Sequence, residues 1–161
     1  MIEGVKAKKM IEGVKVKRLR QIPDERGRLI ECLRNDDKEF FIKFGQVYVT
    51  VASPGAVKGW HYHKKQTDNF VAISGMAKVV LYDTRKKSPT HGEIMEIFMG
   101  EQNPLILQIP PYVMHGFKGI SEKETVIVNI PTEAYHYDSP DEFRVDAHDN
   151  DIPYDWSRRD G

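Results

Sequence analysis

The sequence predicts an all-β fold, a jelly-roll barrel or sandwich formed by one domain. Three observations predict it. About ten short apolar runs recur at regular spacing with turn signals between them. No stretch carries the apolar period of an amphipathic helix of any length. The chain has 161 residues, enough for one substantial core.

The elements can be justified in order. Met1–Lys9 (MIEGVKAKK) and Met10–Arg18 (MIEGVKVKR) are near-copies. Two short copies cannot build a solenoid. Residues 1–18 are therefore expected to be a solvated, lysine-rich arm ahead of a single domain over 19–161, with Met10 able to serve as a start as well as Met1. Ile22–Arg28 (IPDERGR) is turn chemistry, and Leu29–Leu33 is a short strand. Phe40–Ala52 alternates, with Val47, Val49 and Val51 on one side and Gln46, Tyr48 and Thr50 on the other, so it reads as a strand. Phe70–Ser74 and Met76–Tyr82 are apolar runs joined by Ser74-Gly75, which predicts a tight hairpin. Asp83–Gly92 is a polar loop. Glu93–Met99, Leu105–Ile109, His115–Ile120 and Thr125–Ile130 complete the strands, and Pro110-Pro111 breaks the ladder because proline has no N–H to give.

Charge and composition exclude some classes. Lys plus Arg and Asp plus Glu number 24 each, a formal net charge of zero. That argues against nucleic acid or an anionic membrane as the main partner. Cys32 stands alone, so no intrachain disulfide forms, and no run reaches membrane-spanning length. A cytoplasmic protein is expected.

Chemistry concentrates in Gly55–Gly75 (GAVKGWHYHKKQTDNFVAISG). His61 and His63 are two apart, so in a strand they share a face. Asp68 follows. Downstream, His115 stands in PPYVMHGF. The spacing of Gly55, His61, His63, Asp68 and Gly75 resembles the first cupin motif, with Asp68 where glutamate is usual. Pro110 and His115 resemble the second, more loosely. That resemblance implies a cupin jelly roll. Imidazoles from His61, His63 and His115 with a carboxylate from Asp68 suit Zn²⁺ or Fe²⁺/Mn²⁺, although many cupins keep the fold without an ion.

A second resemblance is more specific. Asp24–Gly27 (DERG), Gly59–Tyr62 (GWHY), Asp83–Gly92 (DTRKKSPTHG), His115–Phe117 (HGF) and Asp149–Trp156 (DNDIPYDW) resemble the dTDP-4-dehydrorhamnose 3,5-epimerase family, over roughly Pro23–Trp156. The resemblance implies an enzyme acting on a nucleotide-linked 4-keto-6-deoxy sugar, without a cofactor, as a homodimer that exchanges N-terminal strands. It maps the family's base and its orienting acid to His61 and Asp149. His115 maps to the second active-site histidine near the sugar. Arg26, Gln46 and Arg85 map to positions that bind the nucleotide and diphosphate, although a structural ion pair is the alternative for the two arginines.

The departures from the family matter as much. The enolate-stabilising lysine becomes Asn69, the arginine before Gly59 becomes Lys58, and the proton-donating tyrosine falls at Val128. Tyr135 and Tyr137 are the nearby candidates to replace that donor. Loss of the lysine coincides with the set His61, His63, Asp68 and His115, so an alternative expectation is a zinc-dependent cupin isomerase. Gly55–Gly75 also resembles the zinc-bearing cupin domain of capsular UDP-sugar epimerases. If His61 binds metal it is not the base, and Tyr135, Tyr137 or His136 must move the proton. A sugar-nucleotide binding module without catalysis is the remaining rival.

Overall fold

The computed structural model describes residues 2–160 and contains thirteen strands. They are β1 (Val5–Ala7), β2 (Lys15–Arg18), β3 (Gln21–Asp24), β4 (Gly27–Ile30), β5 (Tyr48–Ala52), β6 (Val57–Tyr62), β7 (Asp68–Ser74), β8 (Met76–Asp83), β9 (Ile94–Gly100), β10 (Leu105–Ile109), β11 (Val113–Gly119), β12 (Thr125–Asn129) and β13 (Phe143–Arg144). Two antiparallel sheets face each other, one in the order β1-β9-β8-β11-β6-β13 and the other β2-β10-β7-β12-β5, and β3-β4 form a separate hairpin. This is the jelly roll that the strand spacing predicts.

The core lies between the sheets. Ala77, Val79, Leu81, Met95, Ile97 and Met99 meet Phe70, Ala72, Leu105, Leu107, Ile109 and Ile127. β8 reads as a continuous apolar run because both its faces are covered. Its Val80 points away from this core and packs with Trp60, Met114 and Trp156. The C-terminal segment thus lies on the outer face of the six-stranded sheet, where the Lys118 ammonium donates to the Trp156 carbonyl at 2.9 Å and the Tyr154 hydroxyl donates to Glu96 at 2.5 Å.

Three expectations are corrected. First, residues 1–18 are not a solvated arm. Each near-copy makes a turn with a positive-φ glycine (Gly4 at 80°, Gly13 at 81°) and then a strand. β1 closes the edge of one sheet against β9, and β2 closes the edge of the other against β10. Ile11 and Val14 are buried in the main core; Met1 lies outside the described residues. Second, Ser74-Gly75 is no hairpin. β7 pairs with β10 and β12, while β8 pairs with β9 and β11. Gly75, at φ 67°, turns the chain from one sheet into the other, and a Cβ there would meet the Ser121 hydroxyl at 2.6 Å and the Glu124 carbonyl at 2.7 Å. Third, only Tyr48–Ala52 of the alternating Phe40–Ala52 run is a strand. Phe40 plugs a small cluster with Leu19, Val71 and Ile106.

The alternation of β5 also has an unexpected sense. Its valines face outward, with Val49 at 58% exposure, whereas Gln46, Tyr48 and Thr50 line a cleft. The inward face is polar because it borders the site.

Gly116 sets the approach of β11 to β6. The ladder shifts register between His115 and Phe117, a bulge that re-aims neighbouring side chains. A Cβ on Gly116 would stand 2.8 Å from the Gly59 Cα and 2.9 Å from the Lys58 carbonyl. Gly116→Ala is expected to cost about 1–3 kcal/mol through forced backbone shifts, read as a lowered urea midpoint.

Candidate active site

A cleft of about 680 Å³ opens between the two sheets. His61 and His115 sit directly opposite each other on the neighbouring strands β6 and β11, with ring centroids 4.1 Å apart. His63 follows just past the end of β6. Asp68 begins β7 on the opposing sheet and is fully buried. Alternation along β6 sends His61 inward and Trp60 and Tyr62 outward to the C-terminal segment. One donor atom from each of His61, His63, Asp68 and His115 lies within 4.8 Å of the others.

The hydrogen bonds define which atoms face the centre. His115 Nδ1 lies 2.9 Å from the Val113 carbonyl, and His63 Nδ1 is bonded to the Asp141 carbonyl. A carbonyl only accepts, so both Nδ1 atoms carry the proton. Both Nε2 atoms then face Asp68 Oδ2, at 3.1 Å from His115 and 3.2 Å from His63. Asp68 Oδ1 is satisfied separately by the Gln66 and Asn129 amides, each at 2.7 Å. Asp68 Oδ2 and His115 Nε2 have no hydrogen-bond partner. A carboxylate oxygen facing ring lone pairs needs a positive charge between them, either a proton or a metal ion.

Electrostatics agree with that arrangement. Burial opposes ionisation of Asp68, but His115 and His63 hold its carboxyl well below the usual range. Burial works against the charged form of His63 too, and Asp68 overcomes it to raise its pKa. His61 differs: burial, and then His115 beside it, push its imidazole well below its ordinary value. Its ring makes no hydrogen bond to the protein among the described residues, and it forms part of the cleft wall. It is a neutral imidazole facing the cleft.

These donors fit a divalent cation. Two rings are anchored through their other nitrogen to backbone carbonyls, the arrangement that orients metal-bound histidines. Tetrahedral ligands about 2.0–2.2 Å from one ion lie about 3.3–3.6 Å apart. Asp68 Oδ2 is already near that spacing from His115 Nε2 at 3.1 Å and His63 Nε2 at 3.2 Å. The widest pairs of the set, within 4.8 Å, close on an ion by up to about 1 Å.

The remaining expected residues divide. Gln46, Lys58, Tyr135 and Tyr137 line the cleft. Lys58 Nζ rests on the Thr50 hydroxyl at 2.8 Å, and Tyr137 is 89% exposed at the mouth. Four residues are not in the cleft. Arg85 is locked into the loop by buried Asp83, through Nε at 2.7 Å and Nη2 at 2.9 Å, and also donates to the Glu12 carbonyl. The geometry is that of an ion pair within the loop. Arg26 sits at the tip of the β3-β4 hairpin, bonded to Asp24 and 85% exposed. Asn69 is buried with both ends used: its amide donates to the Ile130 carbonyl and its oxygen accepts from Gln108. These bonds hold it on the side of β7 away from the cleft. Asp149 is exposed and shares no hydrogen bond or ion pair with His61 among the described residues. Asp146 caps the N–H groups of His148 and Asp149, and the docking of Trp156 on Trp60 carries the segment along the outside of the sheet.

Three cleft residues carry no signal in the sequence motifs. Asp141 accepts from the N–H groups of Lys64, Lys65 and Gln66, so it shapes the loop that positions Gln66. Arg144 pairs in register with His61 and puts a cation at the mouth. Tyr48 lies on the opposing sheet. Of these, only the inward phase of Tyr48 was available from strand alternation.

Comparison with known proteins settles the family. The family described as dTDP-4-dehydrorhamnose 3,5-epimerase matches residues 8–161. The chain belongs to that family. It is therefore an isomerase, an epimerase of sugar nucleotides. It is 42% identical over 148 residues to the spore coat polysaccharide biosynthesis protein SpsL of Bacillus subtilis, covering 92% of this chain and 97% of that one. It is 40% identical to the probable low-salt glycan biosynthesis epimerase Agl13 of Haloferax volcanii, covering 91% and 95%. A dTDP sugar isomerase structure from Desulfovibrio desulfuricans G20 superposes with a TM-score of 0.87 at 33% identity, over 93% of this chain and 94% of that one. No helix is long and apolar enough to cross a membrane among the described residues.

Proposed function

We propose that this protein epimerises a nucleotide-linked 4-keto-6-deoxyhexose at C3, C5 or both, in the synthesis of a surface glycan. The observation that carries the reading is the neutral imidazole of His61 in the wall of the cleft, unbonded to protein. A ketone at C4 acidifies the hydrogens on C3 and C5. His61 takes one, an enolate forms, and an acid returns a proton to the other face. Lys58 and Arg144 at the cleft suit the diphosphate. The names of the SpsL and Agl13 relatives support a glycan pathway, and the family description favours dTDP as the carrier. Such substrates place the enzyme in the cytoplasm.

The test is deuterium wash-in. With a dTDP-linked 4-keto-6-deoxyglucose in D2O, label is expected at C3, C5 or both by NMR. No label at either carbon, with binding shown, refutes the reading.

A specific observation favours a second reading, in which His61 is a ligand and another group takes the proton. The unpartnered Asp68 Oδ2 and His115 Nε2 are answered by a cation held by His61, His63, Asp68 and His115, for which the donor set favours zinc. When bound, the ion supplies the electrophile that polarises the C4 carbonyl, in place of the missing lysine. Metal analysis is then expected to find about one zinc per chain, with thermal stability falling on chelation. Well under one ion per chain, and no change on chelation, excludes it.

The assembly belongs to the proposal too. Val49, Val51, Ile73 and Phe44 expose an apolar face on the five-stranded sheet and the segment leading into it. A second copy covers it, and Arg26 then meets a nucleotide only across the dimer. Sizing at micromolar concentration is expected to give a dimer, and a monomer refutes this.

A further inference from the structure

We infer that Tyr48 is the proton donor that returns hydrogen to the sugar carbon from the face opposite His61; this rests on the epimerase reading above. The family position for that donor is Val128, which faces outward. On β12, Thr125, Ile127 and Asn129 are buried and Val126 and Val128 alternate with them. The inward residue is Asn129, and it is directly opposite Tyr48 in the β12-β5 register.

Asn129 is held in one orientation. Its Oδ1 accepts the Asn69 N–H at 3.0 Å, so the other end is the amide nitrogen. That nitrogen donates one hydrogen to Asp68 Oδ1 at 2.7 Å and the other to the Tyr48 hydroxyl oxygen at 2.8 Å. The phenol oxygen is therefore an acceptor toward the protein, and its own hydrogen is left to point into the cleft. The same amide hydrogen bond stabilises the phenolate that forms when the proton leaves. Burial, with Asp68 adding to it, pushes the Tyr48 pKa up to about 12, so the group holds its proton at neutral pH and serves as an acid. Tyr135 and Tyr137, at the mouth, have no such bond among the described residues.

The placement suits an inversion. Tyr48 belongs to β5 in the five-stranded sheet and His61 to β6 in the six-stranded one, and both line the same cleft. A sugar ring between them presents one face to each. His61 takes the carbon-bound proton as the electron pair moves to the ketone oxygen. The enolate then takes the Tyr48 proton on the other face, and the carbonyl re-forms. The phenolate regains a proton from water and the imidazolium gives one up, so protons balance and no redox partner is needed.

The test is Tyr48→Phe in the full chain with the dTDP-linked 4-keto-6-deoxyglucose in D2O. Epimer formation is expected to fall at least about 100-fold. Deuterium still enters with retained configuration, because His61 returns the label to the face it deprotonates. Epimerisation by the variant at the wild-type rate overturns the inference. So does loss of exchange together with epimerisation in a variant that keeps its melting temperature and binds dTDP, since Tyr48 would then act before deprotonation. Wild-type protein that shows neither exchange nor epimerisation overturns the underlying function, and no other outcome does. If the phenylalanine variant does not fold, 3-fluorotyrosine at position 48 keeps the hydroxyl with a more acidic proton. It is expected to change the ratio of epimerisation to exchange at least twofold, and an unchanged ratio overturns the inference.

Discussion

Replacing His61 with asparagine is expected to slow epimerisation by roughly 10²–10⁴-fold, the usual contribution of a positioned general base. The melting temperature should move little, because the His61 ring bonds to no protein group among the described residues while His63 and His115 stay anchored on the Asp141 and Val113 carbonyls. Deuterium wash-in should fall with epimerisation, since the imidazole that takes the carbon-bound proton is gone. Asp149→Asn is the contrast: Asp149 is exposed and not bonded to His61 among the described residues, so its removal should change wash-in less than about threefold. A loss as large as that of the His61 variant would mean that the C-terminal segment swings inward when substrate binds. Metal content measured on the same His61 variant separates its two roles. An unchanged content leaves His61 as the base, and a parallel loss of zinc assigns it to the cation.

Much of this site was legible in the sequence, for a physical reason. Strand alternation alone puts His61 and His63 on one face, and the spacing to Asp68 and His115 carries across two sheets because the jelly roll brings these strand ends together. The same rule also settles Asn69. With Asp68 inward, its neighbour points away, and the structure finds it bonded to Gln108 and Ile130 on the far side. The misplaced residues depend on pairings that no local pattern encodes. Tyr48 matters only because β5 lies beside β12, which puts it against Asn129. Asp149 is carried off by a docking event seven residues later, where Trp156 meets Trp60 with ring centroids 4.8 Å apart. The N-terminal copies looked polar because edge strands bury one side only. Each contributes few apolar residues, and lysines occupy the exposed edge as protection against further pairing.

The loop Asp83–Gly92 shows how a family motif can be structural, and it carries the largest expected effect on stability. Asp83 is fully buried. It accepts from Arg85 Nε at 2.7 Å, from the Ser88 and Thr90 hydroxyls at 2.6 Å each, and from the Arg85 N–H at 3.1 Å. Thr90 in turn accepts from the Glu12 N–H, which ties the second N-terminal copy to the barrel. Removing one partner of a buried pair costs about 3–5 kcal/mol. The Arg85 side chain keeps 23% exposure and can rehydrate, so Asp83→Ala belongs near the lower end, about 3 kcal/mol. That corresponds to a melting temperature lower by roughly 6–12 °C for a chain of this size. The pH dependence has a definite sign. Burial opposes the charged form, but the Arg85, Ser88 and Thr90 hydrogen bonds depress the carboxyl far below its ordinary 3.8. A depressed acid contributes stability that is complete above its unfolded pKa and is lost as pH falls toward the folded one. Wild-type protein should therefore lose part of its advantage over Asp83→Ala below about pH 4, while the gap between them stays constant from pH 5 to 7. Melting curves of both proteins across that range test it, and a gap that widens on acidification would mean that Asp83 is protonated in the fold.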